Sequence, residues 1–407
     1  MPEMNRRRFL IAGAGVGAAG LLTGVMSCDR LPVTEEKLAD NAGVLVIVTL
    51  YGGNDGLSTV IPYADNAYHD ARPDLAYAPE KVHHLDAALG LNPALTGLSQ
   101  IWAERKLAIV RGVMYPKPDR SHFRSMDIWQ TASPNEAVPT GWIGRWLDAT
   151  GDDPMRAINI GSVLPIMAVG QKQTASALAG GSVSTSHEIV DALSALGTDA
   201  PSDTGPMSAV CSAYRSTRKV DLAVAPVFDT NSGPSIDPNA GGLTTSTGGS
   251  NPLSTKLDVV SKCIKAGLPT RVYMVALGGF DTHADEMEPQ RKLLETVDQA
   301  LAPFLRDMSA DKYGKNVVVM MYSEFGRRVE ANASQGTDHG TAGPVFVAGV
   351  PVKGGFYGEE PSLTDLDDGD LKGSMDFRDI YHELLVKTVG ADPEPAVGPN
   401  RRDVGFL

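Results

Sequence analysis

Acidic and histidine side chains follow short apolar segments at several places in this sequence, in the motifs YGGNDG, GGFDTH and YSEFG and in the later TDHG. Carboxylate oxygens and imidazole nitrogens are common protein ligands of divalent metal ions. Four carboxylates and two imidazoles are enough to hold two such ions, with positions left open for water or substrate. The residue types therefore predict a site for two divalent metal ions and do not distinguish Zn, Mn, Mg and Ca. The predicted ligands are Asp55, Asp281, His283, Glu324, Asp338 and His339.

The apolar segments before these residues have the length and the β-branched content of buried strands. Val44–Leu50, Val272–Leu277 and Val317–Tyr322 are too short for separate helices and are apolar on both faces, which is typical of a parallel sheet. The amphipathic segment Gln290–Met308 predicts a helix between the last two, and a β-helix-β unit makes its strands parallel. Since ligands bind at the carboxyl ends of strands in open α/β sheets, the metal-type residues are expected at one sheet edge. Each of them taken alone is equally typical of an ordinary turn.

A candidate nucleophile follows another predicted strand, Leu107–Val113. Ser121 stands before a segment with helical spacing, and either Ser121 or Asp119 could cap that helix. A helix N-terminus attracts anions, so it could dock an anionic ester and acidify a serine hydroxyl. We predict Ser121 as the catalytic nucleophile; the alternatives are an ordinary helix cap and attack by metal-activated water. The side chains predicted to bind the substrate oxygens are Arg124, Arg327 and Arg328.

The first 28 residues have the pattern of an export signal. Asn5–Leu10, NRRRFL, fits a twin-arginine signal and precedes a Gly/Ala-rich apolar segment that extends to Met26. Cys28 resembles a lipoprotein processing site, and cleavage by signal peptidase nearby is the alternative. We therefore expect a periplasmic or other extracytoplasmic location, with the twin-arginine translocation machinery as a partner. A lipid anchor at Cys28 is the one membrane contact expected.

Composition places the chain among globular proteins and excludes some partners. The 407 residues are 42% hydrophobic and 21% charged, and the formal net charge is −13. An acidic surface lacks the basic footprint of nucleic-acid binding, so no nucleic-acid partner is expected, and the expected partner is a small anionic ester. Residues 229–252 are rich in Ser, Thr and Gly and predict a flexible excursion over the surface. Export would permit Cys211 and Cys263 to pair, which the sequence leaves open.

Six motifs carry a resemblance to a known family. NRRRFL, LYGGNDGLSTVIP, DRSHFRSMDIWQTA, GGFDTH, YSEFGRR and TDHGTAGPVFVAG, in this order, resemble the bacterial domain-of-unknown-function 1501 family. The similarity extends from about residue 43 to residue 390 and leaves out the Ser/Gly-rich tract. That family resembles the alkaline phosphatase and sulfatase superfamily. The resemblance implies one three-layer α/β domain over residues 43–390, with a mostly parallel sheet between helices and a two-metal site at its carboxyl edge.

The same resemblance implies roles for individual residues. Asp55 matches the first-strand metal ligand, and Ser121 falls near the place of the Ser, Thr or Cys nucleophile. Asp281 and His283 resemble a metal-binding Asp-x-x-x-His pair, although one residue separates them here instead of three. Glu324 stands where an Asp-His pair is usual, and the Asp-His pair of this chain comes later.

Together these features predict an exported, metal-dependent hydrolase of phosphate or sulfate esters. A hypothesis of another class is a catalytically inactive scaffold of the same fold that acts as a periplasmic binding or assembly component. The unusual ligand spacing favours this second hypothesis. Metal stoichiometry combined with turnover of generic aryl esters would separate the two.

Overall fold

The computed structural model describes residues 37–161, 163–178, 219–220, 222–227 and 253–407. The predicted export signal at residues 1–28, the predicted flexible tract at residues 229–252 and Cys211 lie outside these ranges. The described residues belong to one compact unit. Within the described ranges, no helix is both long enough and apolar enough to cross a membrane.

The regular elements alternate along the chain, as expected for an α/β protein. The strands are β1 (Val44–Leu50), β2 (Val60–Ile61), β3 (His83–His84), β4 (Gly90–Leu91), β5 (Leu107–Met114), β6 (Ala157–Ile160), β7 (Ser176–Leu178), β8 (Val272–Leu277), β9 (Val317–Ser323), β10 (Arg327–Ala331), β11 (Thr337–His339), β12 (Gly343–Ala348), β13 (Gly355–Tyr357), β14 (Leu366–Asp367), β15 (Asp370–Leu371) and β16 (Met375–Asp376). The α-helices are α1 (Gly56–Thr59), α2 (Asn66–Ala71), α3 (Thr96–Ala103), α4 (His122–Thr131), α5 (Trp142–Thr150), α6 (Leu253–Lys265), α7 (Met287–Ala310), α8 (Phe377–Glu383) and α9 (Glu394–Val397). A π-helix, Leu384–Val389, continues from α8.

A nine-stranded sheet forms the centre of the molecule. Its order is β13-β5-β12-β9-β1-β8-β6-β7, and β16 pairs with β5 in addition. β1 pairs in parallel with β8 on one side and with β9 on the other, as the predicted β-helix-β unit requires. β12 is antiparallel to both of its neighbours, whereas the other pairs in this sheet are parallel. The prediction of a mostly parallel sheet is therefore confirmed.

Helices cover both faces of this sheet and bury its side chains in two apolar cores. Val46 and Val48 of β1 point into the core that α3, α6 and α7 close, whereas Leu45 and Ile47 point into the core under α4, α5, α8 and α9. These four side chains are fully buried. Each contributes roughly 1.5–3 kcal/mol relative to an exposed side chain. The almost entirely apolar sequence of β1 thus follows from burial on both faces, and the predicted three-layer α/β fold is confirmed.

Three parallel strands end at the same edge of the sheet and lead into polar loops. The register aligns Leu50 at the end of β1 with Leu277 of β8 and with Ser323 of β9. The loops after β1 and β8 lie close together, because a Cβ atom added to Gly52 would lie 2.5 Å from the backbone nitrogen of Asp281. Gly52 also has a φ of 118°, which side-chain-bearing residues rarely adopt. The approach of these loops brings the metal-type residues within reach of one another.

Candidate metal centre

Three histidines and one aspartate converge at this edge of the sheet. Asp281 Oδ1 lies 2.9 Å from His283 Nε2, 3.1 Å from His339 Nε2 and 3.3 Å from His122 Nε2. The Nε2 atoms of His283 and His339 are 2.9 Å apart. One ligand atom each from His122, Asp281 and His339 lie within 4.8 Å of one another, which is a spacing that a metal ion can bridge. We call His122, Asp281, His283 and His339 the His/Asp cluster.

Separate elements deliver these side chains. Asp281 and His283 lie on the loop after β8, and His122 is the first residue of α4. His339 is the last residue of β11, a short strand that pairs antiparallel with β10. Because only residues 324–326 separate β10 from the end of β9, this hairpin returns His339 to the edge where Asp281 emerges.

The second ring nitrogen of each histidine faces a hydrogen-bond acceptor. His339 Nδ1 lies 2.7 Å from the backbone oxygen of Arg120, and His122 Nδ1 lies 2.8 Å from Glu324 Oε1. His283 Nδ1 lies 3.4 Å from Asp338 Oδ1. An acceptor at Nδ1 favours the tautomer that carries its proton there, so the Nε2 lone pair of each neutral ring is free for a cation. All three Nε2 atoms lie within 3.3 Å of Asp281 Oδ1.

The cluster therefore brings three imidazole Nε2 atoms close to a carboxylate oxygen, and few hydrogen-bond donors face these atoms. Arg327 donates a 2.8 Å hydrogen bond from Nη2 to Asp281 Oδ1. His122 Nε2 is buried and has no hydrogen-bond partner among the described residues. Two imidazole lone pairs 2.9 Å apart repel each other unless a proton or a metal ion lies between them. The arrangement is one that a bound cation would stabilise.

Ionisation in the cluster reflects burial and neighbouring charge. Burial acts to raise the pKa of Asp281, but the hydrogen bond and the charge of Arg327 outweigh it and hold that pKa well below its usual range. Burial lowers the pKa of His339, so this ring stays neutral at physiological pH. Burial also acts to lower the pKa of His122, but the hydrogen bond and charge of Glu324 raise it above its usual value. The surroundings thus favour an ionised aspartate and a positive charge beside it.

These four residues fit a divalent metal ion. Imidazole nitrogens with one carboxylate form a ligand set that suits zinc and other first-row transition metals better than Mg or Ca, which prefer oxygen ligands. His283 is 44% exposed and Asp281 is 39% exposed, so one side of the cluster remains open to solvent. An open side is what separates a catalytic metal site from a closed structural one.

His122 was not among the sequence-predicted ligands. It follows Ser121 directly, which the sequence predicted as the nucleophile, and no role was predicted for His122 itself. The available signal was its place at the start of a predicted helix after a strand, on the same sheet edge as Asp281. Its partner Glu324 is 202 residues away in sequence, so no local pattern links the two.

Glu324, a predicted metal ligand, lies outside the His/Asp cluster and holds His122. Its Oε1 accepts hydrogen bonds from the backbone nitrogen of Gly52, at 2.9 Å, and from His122 Nδ1. Its Oε2 accepts a hydrogen bond from Ser323 Oγ at 2.8 Å. The carboxylate is 1% exposed, so its oxygens are occupied by protein donors. It thus orients the His122 imidazole, as carboxylates commonly do behind metal-binding histidines.

Replacing Glu324 with glutamine is expected to weaken metal binding about 10–100-fold without removing the site, because outer partners of metal-bound histidines have effects of that size. Glutamine preserves the shape of the side chain but removes the charge that fixes the His122 tautomer. Competition titration of Co²⁺ against a chelator would measure the change. Glu330→Gln is the matched control, since Glu330 is exposed on the neighbouring β10. Equal affinities of the two variants would contradict the orienting role.

Asp55, another predicted ligand, is paired with a buried arginine. Arg72 donates to both carboxylate oxygens, from Nη1 to Oδ2 at 2.5 Å and from Nη2 to Oδ1 at 3.0 Å, and both side chains are fully buried. Oδ1 also accepts a hydrogen bond from the backbone nitrogen of Leu57, which caps α1. Burial acts to raise the pKa of Asp55, but the charge of Arg72 lowers it. Asp55 lies at the predicted sheet edge, and both of its carboxylate oxygens have protein partners there.

A second buried carboxyl lies beside this pair. Glu286 is 1% exposed, and its Oε2 accepts a hydrogen bond from Thr337 Oγ1 at 2.6 Å. Burial and the nearby charge of Asp55 raise the pKa of Glu286 to about 8. This carboxyl therefore keeps its proton at neutral pH, and Arg72 has one buried anion to neutralise.

Replacing Arg72 with methionine is expected to destabilise the fold by about 3–5 kcal/mol, because it leaves the charge of Asp55 buried without a partner. The Asp55→Asn/Arg72→Met double variant is expected to be less destabilised than Arg72→Met and to bind as much metal as the wild type. Denaturant unfolding and metal analysis would measure both effects. Arg291→Met, at an exposed ion pair, is the control, with an expected change within about 1 kcal/mol. Loss of metal from a folded double variant would restore Asp55 as a ligand.

The remaining predicted ligand, Asp338, lies beside the cluster without joining it. Its Oδ1 lies 3.1 Å from Asn332 Nδ2 and 3.4 Å from His283 Nδ1. Hydrogen bonds from Asn332 and His283 lower its pKa, so it is ionised at neutral pH. Asp338 is therefore placed to orient His283, as Glu324 orients His122.

The three arginines predicted to bind substrate have protein partners. Arg327 is 1% exposed and donates to the backbone oxygens of Gly53, at 2.6 Å, and Phe280, at 3.0 Å, as well as to Asp281. Its buried guanidinium group therefore holds together the loops after β1 and β8 and is not free to contact a substrate. Arg124 pairs with Asp127 on the same helix. Arg328 remains partly exposed and contacts a neighbouring hairpin.

Ser121 occupies the N-cap position of α4 and is exposed. Its side chain makes no capping hydrogen bond, and its backbone nitrogen donates to Asp119 Oδ1 at 2.7 Å. The hydroxyl is therefore not used to cap the helix and lies next in sequence to His122 of the cluster. Its predicted role as nucleophile stays a prediction.

Several solved structures are similar to this chain at low sequence identity. A protein in the alkaline phosphatase superfamily from Vibrio parahaemolyticus is 12% identical, with a TM-score of 0.43, over 94% of this chain and 75% of that chain. The C-terminal periplasmic domain of EcEptC from Escherichia coli, in a complex with Zn, is 11% identical, with a TM-score of 0.35, over 76% of this chain and 74% of that chain. The lipoteichoic acid synthase LtaP from Listeria monocytogenes is 10% identical, with a TM-score of 0.39, over 91% of this chain and 76% of that chain.

The sequence comparisons are more restricted. No curated protein matches the chain. A family model does match, and the matched part contains Asp281, His283 and His339 of the His/Asp cluster. Residues 263–404 match the family described as Protein of unknown function (DUF1501), which confirms the resemblance inferred from the motifs in this part of the chain.

Proposed function

We propose that this chain is a metal-dependent hydrolase of phosphate or sulfate esters, with one divalent metal ion held by the His/Asp cluster. The observation that carries the proposal is the convergence of three Nε2 atoms on Asp281 Oδ1, each ring being held from behind by an acceptor at Nδ1. Ordinary turn chemistry does not require such a gathering of lone pairs. The sequence predicted two ions; the described residues gather one set of ligands, so we propose one.

A divalent ion bound there would lower the pKa of a hydroxyl or water and polarise an ester oxygen. The residues of this chain fix the surroundings in which that happens. Arg327 links Asp281 to the loop after β1, and Glu324 links His122 to the backbone of Gly52. The ligand geometry is thereby preorganised by buried hydrogen bonds, as efficient catalysis requires.

The surroundings of the cluster favour an anionic substrate. The N-terminus of α4 carries His122, and its first backbone N–H groups receive no capping hydrogen bond from Ser121. Such a helix end binds anions through its unpaired N–H groups and its partial positive charge. We propose that the Ser121 hydroxyl, exposed at this position, loses its proton and attacks phosphorus or sulfur, while the bond to the ester's alcohol breaks and that alcohol leaves with a proton. Water then hydrolyses the covalent intermediate, which releases phosphate or sulfate and restores the Ser121 hydroxyl. The NRRRFL motif supports an extracytoplasmic location for this activity.

The test combines metal analysis with turnover. The chain would be purified after folding in the cytoplasm, its metal content measured by mass spectrometry, and its hydrolysis of 4-nitrophenyl phosphate and 4-nitrophenyl sulfate followed. We expect one divalent ion per chain, together with turnover that is lost with a chelator and restored by added metal. Absence of any bound metal after loading would overturn the proposal. Bound metal without turnover of either ester would favour the binding or assembly scaffold instead.

A further inference from the structure

We propose that Arg120 and Arg328 form a binding site for an oxyanion, such as a phosphate or sulfate group. In this structure the carboxylate of Asp368 occupies that site. Asp368 Oδ2 lies 3.2 Å from Arg120 Nη2 and 3.4 Å from Arg328 Nη2. One carboxylate oxygen thus marks a point that both guanidinium groups reach. Two guanidinium groups directed at one point are a common means of binding tetrahedral oxyanions.

Asp368 is placed to leave this position easily. It lies in the two-residue turn between β14 and β15, where Asp368 and Gly369 have φ angles of 52° and 84°. Positive φ at both central residues is the conformation of a tight type I′ turn, which Asp-Gly sequences favour. The Asp368 side chain is 79% exposed, so its carboxylate can rotate into solvent without any change in the hairpin. Exposed ion pairs of this kind are weak, and a stronger ligand can displace them.

Asp370, by contrast, holds the arginines in place. Its side chain is 2% exposed, and its Oδ2 accepts from Arg120 Nε at 2.8 Å and from Arg120 Nη2 at 2.5 Å. Its Oδ1 lies 3.5 Å from Arg328 Nε. When Asp368 is removed, two guanidinium groups therefore remain fixed around one carboxylate, with a net charge of +1. A fixed pair of donors with surplus positive charge selects an anion of small size and high charge density.

This site adjoins the His/Asp cluster. The backbone oxygen of Arg120 accepts the hydrogen bond from His339 Nδ1, and Arg328 follows Arg327, which binds Asp281. We infer that the site binds an anionic group of the substrate whose ester is hydrolysed at the cluster. This role rests on the proposed function, whereas oxyanion binding itself does not.

The experiment compares two single variants of the same hairpin. Asp368→Asn removes the competing charge, and Asp367→Asn makes the same change at an exposed neighbour that has no side-chain partner among the described residues. Binding of inorganic phosphate and inorganic sulfate would be measured by calorimetry, on the purified chain and again after treatment with a chelator. We expect Asp368→Asn to bind both anions about three- to tenfold more tightly than the wild type, and Asp367→Asn to match the wild type.

A double variant shows where the anion binds. Adding Arg328→Gln to Asp368→Asn is expected to remove the gain, with folding checked by circular dichroism. Equal affinities of the two single variants, or a gain that survives Arg328→Gln, would overturn the site. A gain that persists after chelation supports it even if the cluster binds no metal, so failure of the proposed function is distinguished from failure of this proposal. A substrate role is supported if Asp368→Asn also lowers KM for an aryl ester that carries a second phosphate, and is overturned if KM is unchanged.

Discussion

Replacing His339 with alanine is expected to remove the bound metal and to abolish ester hydrolysis. His339 Nε2 lies 3.1 Å from Asp281 Oδ1 and 2.9 Å from His283 Nε2, so its loss opens the centre of the His/Asp cluster. Loss of a residue that only hydrogen-bonds to a metal-binding histidine already weakens metal affinity about 10–100-fold. Loss of the histidine itself should therefore weaken metal binding by more than about 100-fold. Metal analysis after dialysis and turnover of 4-nitrophenyl phosphate would measure the two losses together.

The fold should survive this change, because the side chain of His339 is 22% exposed and contributes little to either core. His84→Ala is a suitable control, since His84 is an exposed histidine outside the cluster. That variant is expected to keep both its metal and its activity. If His339→Ala retained one tightly bound ion per chain, the His/Asp cluster would not be the metal site, and the function proposed for it would be lost.

Replacing Ser121 with alanine is expected to reduce ester hydrolysis by roughly a thousandfold or more while the metal content stays unchanged, since removal of a nucleophile has effects of that order. The reason is a division of roles: the cluster holds the ion without using any hydroxyl, whereas transfer through a covalent intermediate requires one. Two other serines near this edge are less suited. Ser125 is buried and donates to the backbone oxygen of Glu324 at 2.5 Å, and Ser58 is buried near Arg72.

The measurement is single-turnover hydrolysis of 4-nitrophenyl phosphate by metal-loaded protein, with the metal content of each sample determined in parallel. Ser133→Ala, just beyond the C-terminal end of α4, serves as the control and should behave as the wild type. Full activity of Ser121→Ala would show that water attacks directly, because a bound metal ion can lower the pKa of water to about 7 without help from a serine. The metal site would be unaffected by that result.

Two predictions with opposite metal outcomes make the proposal specific. His339→Ala should lose metal and activity, whereas Ser121→Ala should lose activity alone. If the protein were a scaffold without catalytic activity, the wild type would have no turnover, so neither substitution could reduce it. The pair therefore separates a ligand, a nucleophile and an inactive fold by two measurements on the same samples.

The sequence by itself determined the layers of this fold and the edge where its chemistry lies. Val44–Leu50 has six apolar residues in seven positions, and β8 and β9 are similar. Such segments are stable only when both faces are buried, so they predict a parallel sheet between helices. Parallel strands end at one edge, and this predicted Asp281 and His283 at the same edge as Glu324. His339 reaches that edge through the hairpin of β10 and β11. Local pattern is sufficient here because burial on both faces depends on the strand's own composition.

The tertiary structure decided which of the edge residues meet. His122 enters the cluster because Glu324 holds it, and Asp55 stays out because Arg72 neutralises it. Arg327 is buried because it bridges two loops whose distance from each other no local sequence reveals. A carboxylate binds whichever cation packing brings to it, whether a guanidinium, an imidazolium or a metal ion. Residue type therefore showed that the carboxylates at this edge need a positive partner. Only the packing of distant loops and helices determined which partner each carboxylate has.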